Sequence, residues 1–208
     1  MELIVPLFSS PLYQTIVPVD QHDIDLVTNT QYNRSEGNNG YISINQQLIN
    51  KTLEDKLDPH ISNYIHNQLQ IQQSFTIINS WCNKHTKGDY LPSHSHANSI
   101  FTGIYYIQVP PQSGNILSLH QSPFIPSFVP GTIIPTVNQS NIYNSKSIDI
   151  HLEEGTLLLF PSHIEHSAPQ SQSDQVRYAI SFNIFLHGEF GDSTNKLSIS
   201  CHNTHMAD

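Results

Sequence analysis

The chain has 208 residues, enough for one domain with a sizeable core, with 37% apolar and only 12% charged residues. Eight Lys and Arg against 17 Asp and Glu give a formal net charge of −9, which leaves no basic stripe for nucleic acid and no polybasic membrane anchor. No apolar run reaches the ~20 residues that span a bilayer. Cys82 and Cys201 are too few and too far apart for a disulfide framework, and fit a reducing cytoplasm.

The opening stretch, "MELIVPLFSSPLYQTIVPVD", lacks a basic leader and is interrupted by proline, so it does not read as a signal peptide. Residues 3–19 are β-branched and proline-containing, the composition of one or two edge strands. "RSEGNNG", Arg34 to Gly40, is a loop by composition. Next comes a helical stripe: Leu48, Ile49, Leu53, Leu57, Ile61, Ile65 and Leu69 recur at spacings near four and read as core. Asp58-Pro59 has the chemistry of an N-cap and first helical residue, so the stripe is divided into two helices, about 45–57 and 59–72.

From Ser74 to His187 the pattern changes to short apolar runs between Pro, Gly, Asn and Ser clusters. That is the signature of a β-sandwich or barrel, with the jelly roll as its expected form. Residues 121–147 read as a long loop within the sheets. The expected organisation is a single mainly β domain over 1–187, with a helical layer at about 45–72 and a β core at about 74–187. A polar, weakly ordered tail follows at 188–208.

Within the β region, "LPSHSHANSIFTGIYYIQVP" places His94 and His96 at i and i+2 on an extended segment, so both imidazoles point to one side. A lone histidine in a loop is usually only solvated. A pair is costly if charged, but useful if it holds a metal. A mononuclear iron site needs three protein ligands on one face of the metal, commonly two histidines and a carboxylate. His166, in "LFPSHIEHSAPQ", follows a strand and a turn, where a distal ligand would stand. Downstream, "VRYAISFN" alternates so that Arg177, Ala179, Ser181 and Asn183 share a face. Lys146 and Arg177 are the only lysine or arginine residues between His94 and His187. A buried arginine on such a face is stable when it clamps a carboxylate with paired hydrogen bonds. Trp81 reads as core packing. A rival set, His163, Glu165, His187 and Lys196, leaves too little chain between its members for the strands of a jelly roll, and does not account for His94 and His96.

These residues carry a family resemblance. The chain resembles the Fe(II)- and 2-oxoglutarate-dependent dioxygenases, in their prolyl-hydroxylase-like branch, and most closely a bacterial and phage group of oxygenases. It shares the run Ser80-Trp81, Asn83, Lys87 to Tyr90, His94, His96, Gly103 to Ile107, Pro110, Leu159 to Ser162, His166, Arg177 and Ile180 to Asn183. The resemblance implies a double-stranded β-helix, iron held by His94, His96 and His166, and the distal carboxylate of 2-oxoglutarate held by Arg177 and Tyr106. It assigns no catalytic residue beyond the metal ligands. It further implies hydroxylation of a small-molecule or peptide substrate with release of succinate and carbon dioxide. His96 stands where prolyl hydroxylases carry an acidic residue, which leaves the site one unit more positive. Two alternatives stay open on the residues alone: a non-catalytic jelly-roll module with a vestigial metal site, and a cupin-like metalloenzyme that does not use 2-oxoglutarate.

Overall fold

The computed structural model of the protein describes residues 3, 9–35, 37, 39–120, 136–139 and 141–201. In chain order the elements are β1 (Tyr13–Ile16), α1 (Gln21–Thr28), β2 (Tyr32–Ser35), β3 (Gly40–Ser43) and α2 (Lys51–Ser62), the last followed by a π-helical turn over Asn63–Gln68. The strands continue as β4 (Ser74–His85), β5 (Leu91–His94), β6 (Phe101–Gln108), β7 (Ile116–His120), β8 (Ser147–His151), β9 (Thr156–Pro161), β10 (Glu165–Ala168), β11 (Arg177–Phe190) and β12 (Leu197–Ile199). The major sheet runs β1-β9-β6-β11-β4-β3-β2, and β12 pairs with β11. The minor sheet runs β5-β10-β7-β8. All strand pairings are antiparallel. This is the expected jelly roll, with β1 on the edge of the sheet as its proline-flanked composition implied.

Alternation along the central strands divides the core in two. Phe101, Tyr105, Ile107, Ile180, Phe182 and Ile184 pack against the helical residues Leu53, Leu57, Ile61, Tyr64 and Ile65. Ile104, Tyr106, Ala179, Leu158 and Phe160 form a second cluster with Leu117 of the minor sheet. The major sheet therefore carries helices on one face and the sandwich interior on the other.

The helical layer differs from the sequence expectation. Helix α2 begins after Asn50, whose side chain accepts the Leu53 N–H at 3.1 Å, and continues through Pro59 instead of restarting there. An interior proline costs ~3 kcal/mol. Against it stand Leu53, Leu57, Ile61, Tyr64 and Ile65, all at most 1% exposed, each contributing roughly 1.5–3 kcal/mol by burial. Pro59 and Asp55, whose carbonyl loses its donor, both lie on the exposed side, where water can bind that carbonyl. Helix α1 was not anticipated. It is fixed by a capping box in which the Asp20 side chain accepts the Asp23 N–H at 3.1 Å and Asp23 accepts the Asp20 N–H at 3.2 Å.

Three other stretches refine the reading. Of the Arg34–Gly40 stretch read as a loop, Arg34 and Ser35 end β2 and Gly40 begins β3, which pair antiparallel, while residues 36 and 38 lie outside the described residues. The polar tail is more ordered than expected up to residue 201. Strand β11 extends to Phe190 and β12 returns along it, through a turn in which the Asp192 carboxylate accepts the Thr194 and Asn195 N–H groups. Of the long loop at 121–147, residues 121–135 and 140 lie outside the described residues, as do 202–208 of the tail. Among the described residues, no helix is long and apolar enough to cross a membrane.

Gly103 of β6 sits opposite Phe182 of β11, and a Cβ there would lie 2.0 Å from the Phe182 ring. Gly103→Ala is expected to lose about 1–3 kcal/mol through overpacking. It would be read as a lower urea midpoint at unchanged slope. Gly37→Ala, with nothing within 4 Å of the added carbon, is expected to stay within ~0.5 kcal/mol of the parent.

Candidate active site

The cavity between the two sheets has a floor and a roof of different chemistry. Its floor is laid by register: Trp81, Asn83 and His85 of β4 face Ser181, Ala179 and Arg177 of β11, and Ile104 and Tyr106 of β6 face Ser181 and Ala179 from the other side. Its roof comes from the minor sheet, where His94 of β5 is the direct cross-strand partner of His166 of β10. All of these side chains except the third imidazole, His96, line the same cavity.

His96 lies two residues beyond β5. It is anchored by its own N–H, which donates to the Ser162 carbonyl at 3.0 Å. One ring nitrogen from each of His94, His96 and His166 lies within 4.8 Å of the others, and this is the one such metal-ligand cluster among the described residues. The alternation that places His94 and His96 on one side is visible in their burial: both are half-buried while Ser93 and Ser95 are exposed.

Each imidazole has its tautomer fixed from behind. His94 Nδ1 donates to the Pro92 carbonyl at 2.9 Å, His166 Nδ1 to the Ile164 carbonyl at 3.2 Å, and His96 Nδ1 to the Asn183 side-chain oxygen at 2.6 Å. A carbonyl oxygen only accepts, so each Nδ1 carries the proton and each Nε2 presents a lone pair. Asn183 is itself held in a hydroxyl network. Ser99 Oγ lies 3.5 Å from Asn183 Oδ1 and donates to Ser162 Oγ at 2.7 Å, and Ser162 pairs with Thr102 at 2.9 Å. Burial, reinforced by the neighbouring imidazoles, lowers the His166 pKa to about 3. Burial and His94 lower that of His96 to about 4, against a partial rise from the Asn183 bond. Neutral imidazoles with free, convergent Nε2 atoms are the donor set that a divalent transition metal takes.

The other end of the cavity is cationic. Arg177 is 4% exposed, and no carboxylate pairs with it among the described residues. Its Nη1 donates to the Gly114 carbonyl and its Nη2 to His85 Nδ1, each at 2.5 Å. Gly114 has φ of +79°, and a Cβ there would lie 2.7 Å from the Pro169 carbonyl and 3.1 Å from Arg177 Nη1. Glycine is therefore required both for the turn and for the approach to the guanidinium. Tyr106 sits opposite Ala179, two residues from Arg177 on the same face. Burial raises its hydroxyl pKa to about 12, with Arg177 pulling the other way, so it remains a donor.

The sequence-predicted residues His94, His96, His166, Arg177 and Tyr106 are thus gathered around one space. The rival set is not: His163 is exposed, Glu165 accepts from Ser93 on the opposite side of β10 from His166, and His187 pairs with Ser74 far along β11. Trp81 differs from its reading as plain core. It is half-buried, with its ring 5.4 Å from that of His96, because β4 alternation turns it inward with His85. His85 and Gly114 were missed, since only the strand pairing brings them to Arg177. Asn183 had a signal, its shared face with Arg177, but no partner to give it a role.

A family model described as "Putative 2OG-Fe(II) oxygenase" matches residues 79–183, the span that holds both sheets' site residues. No curated protein matches the chain in sequence. Among solved structures, the chain is similar to HygX from Streptomyces hygroscopicus with nickel, 2-oxoglutarate and hygromycin B bound (TM-score 0.58, 9% identity, 85% of this chain and 83% of that one). It is also similar to a 2OG-Fe(II) oxygenase family oxidoreductase from Burkholderia pseudomallei (TM-score 0.57, 11% identity, 83% and 85%). A third likeness is to a prolyl-4-hydroxylase from Pseudomonas putida (TM-score 0.52, 11% identity, 86% and 95%). At these identities the likeness is one of fold.

Two outcomes follow from the site's own chemistry. Asn183→Leu removes the acceptor behind His96 and is expected to weaken Co(II) or Zn(II) binding by about 10–100-fold, while Asn183→Asp, which keeps an acceptor, does not; competitive metal titration measures both. The metal-free protein is expected to lose stability as pH falls from about 6.5 towards 4. In that window the unfolded chain protonates its histidines while the folded chain keeps His85, His96 and His166 neutral. Above pH 6.5 the three contribute no slope. Urea melts between pH 7.5 and 4 would show it.

Proposed function

The chain belongs to the 2OG-Fe(II) oxygenase family, and on that premise we propose that His94, His96 and His166 hold the iron while Arg177 and Tyr106 hold the distal carboxylate of 2-oxoglutarate. The family makes the protein an Fe(II)- and 2-oxoglutarate-dependent oxygenase. With iron bound, oxygen and 2-oxoglutarate are converted to succinate and carbon dioxide as a substrate is oxidised, hydroxylation being the outcome expected here.

The observation that carries the assignment of roles is the unpaired guanidinium. A cation that is 4% exposed with no acidic partner among the described residues is expensive to leave alone. It shares its cavity with His94 and His166 of the three-histidine cluster. A diacid would span them in this reading, one carboxylate end on the metal side and the other toward Arg177 and the Tyr106 hydroxyl. Imidazole ligands bring no negative charge of their own, so the dianion would offset the charge of a divalent ion. In this reading each histidine's Nδ1 contact sets the direction of its ligand nitrogen, and Trp81 closes the site beside His96. The substrate is proposed to be a small molecule or peptide. Enzyme and ferrous iron would both be at home in a reducing cytoplasm, where Cys82 and Cys201 stay free thiols.

The test is calorimetric titration of 2-oxoglutarate into the Co(II)-loaded protein without oxygen. Binding is expected only when metal is present. Arg177→Ala is expected to weaken it by at least about 30-fold, the loss of a buried charged hydrogen-bond pair. Tyr106→Phe should weaken it by about tenfold. Neither should change Co(II) affinity. An Arg177→Ala variant that binds 2-oxoglutarate like the parent would overturn the assignment of the clamp.

A further inference from the structure

His85 is buried, titratable and absent from the roles given so far. It is 1% exposed and lies directly across from Arg177 in the β4–β11 pairing. Its Nδ1 accepts from Arg177 Nη2 at 2.5 Å. A guanidinium has only donors, so Nδ1 must be the bare nitrogen and the ring proton sits on Nε2. That Nε2–H has no acceptor among the described residues. The backbone of β3 presses on the same edge of the ring: a Cβ at Gly40 would meet His85 Cδ2 at 2.5 Å and Nε2 at 2.8 Å. Leucine or phenylalanine could fill the space without burying an unpaired donor. What the imidazole adds is the Nδ1 lone pair.

The acid whose charge His85 feels is kept away from Arg177. Asp89 is 3% exposed. Its Oδ1 accepts from Arg34 Nη1 at 2.6 Å, and its Oδ2 from the Thr86 N–H at 2.8 Å and the Thr86 hydroxyl at 2.9 Å. The guanidinium therefore meets two neutral acceptors, His85 Nδ1 and the Gly114 carbonyl. Among the described residues two of its five N–H groups are used, and the positive charge stays intact.

We propose that His85 is a positioning residue for the cosubstrate clamp: a neutral hydrogen-bond acceptor that orients Arg177 without cancelling its charge. The proposal rests on the reading of Arg177 as that clamp. A carboxylate at the same place would hold the arginine equally well in geometry. It would also form an internal ion pair and leave an incoming dicarboxylate nothing to neutralise. Burial and the neighbouring Arg177 keep the imidazole neutral, with a pKa near 3.

Asparagine and aspartate, nearly isosteric with each other, offer an oxygen close to the position of His85 Nδ1 and differ in charge. The experiment compares His85→Asn, His85→Asp, His85→Leu and Arg177→Ala in the full chain. For each it measures the Co(II) Kd, the 2-oxoglutarate Kd of the Co(II)-loaded protein without oxygen, and the melting temperature. His85→Asn is expected to bind 2-oxoglutarate within about threefold of the parent, and His85→Leu about tenfold or more weakly. His85→Asp is expected to bind more weakly still, and to melt no lower than His85→Asn. Co(II) affinity should be unchanged in all. If His85→Leu does not fold, the Asn and Asp pair decides. Equal 2-oxoglutarate affinity in those two, with Arg177→Ala impaired, overturns the proposal. If Arg177→Ala itself binds normally, it is the clamp reading that fails.

Discussion

Strand β11 lies at the centre of the major sheet, paired on both sides along most of its length, and neither of its faces meets water freely. One face must be apolar because helices cover it. The other must be polar because it floors a cavity that holds charge. The sequence meets both demands by strict alternation, Ile180, Phe182 and Ile184 outward and Arg177, Ala179, Ser181 and Asn183 inward. A slip of one residue would put a guanidinium into the helix-facing core and phenylalanine over the imidazoles. Register at β11 is thus the condition on which both core and site depend. The Gly103–Phe182 contact pins it, since the space opposite that ring is available only where a side chain is missing.

The two ends of the cavity solve the same desolvation problem in opposite ways. At the roof, His96 and His166 are held in their neutral form, because burial penalises their protonation. At the floor, Arg177 cannot shed its proton, so the fold instead surrounds it with acceptors that carry no charge. Asp89, the acid whose charge His85 feels, is tied up by Arg34 and Thr86. The result is an interior that is electrically unfinished. It holds a cation and a neutral ligand set, and a metal would add two further positive charges. A dicarboxylate would offset two of those three positive charges.

How much of this was legible along the chain depends on the range of each contact. The His94–His96 pair is local and its meaning came from period-two geometry. His166 and Arg177 were found because a distal histidine and a rare cation stand out against strand-forming sequence. Asn183 was visible as a face-mate of Arg177, but its partner His96 is 87 residues away. His85 and Gly114 are 92 and 63 residues from Arg177, and nothing in their surroundings marks them before the strands pair. In the helical layer, Asp58-Pro59 has sound start-signal chemistry. It was overruled because five side chains on one stripe bury completely and the proline falls on the opposite, solvated side. Local preference loses when the tertiary contribution is several times larger.

The chain's acidity also has to be reconciled with its proposed cosubstrate. A net charge of −9 should repel a dianion. Charges on the outer surface act through water and salt, where the Debye length is about 8 Å at physiological ionic strength. Arg177, and a metal if the three histidines hold one as proposed, would act from inside a cavity where the effective dielectric is several-fold lower. Long-range repulsion therefore affects mainly the rate of encounter, and the short-range field decides binding. This division of scales lets a strongly acidic protein keep a site for a diacid. It also bears on the charge near the proposed clamp: inside that screening distance a misplaced carboxylate would act on Arg177 largely unscreened.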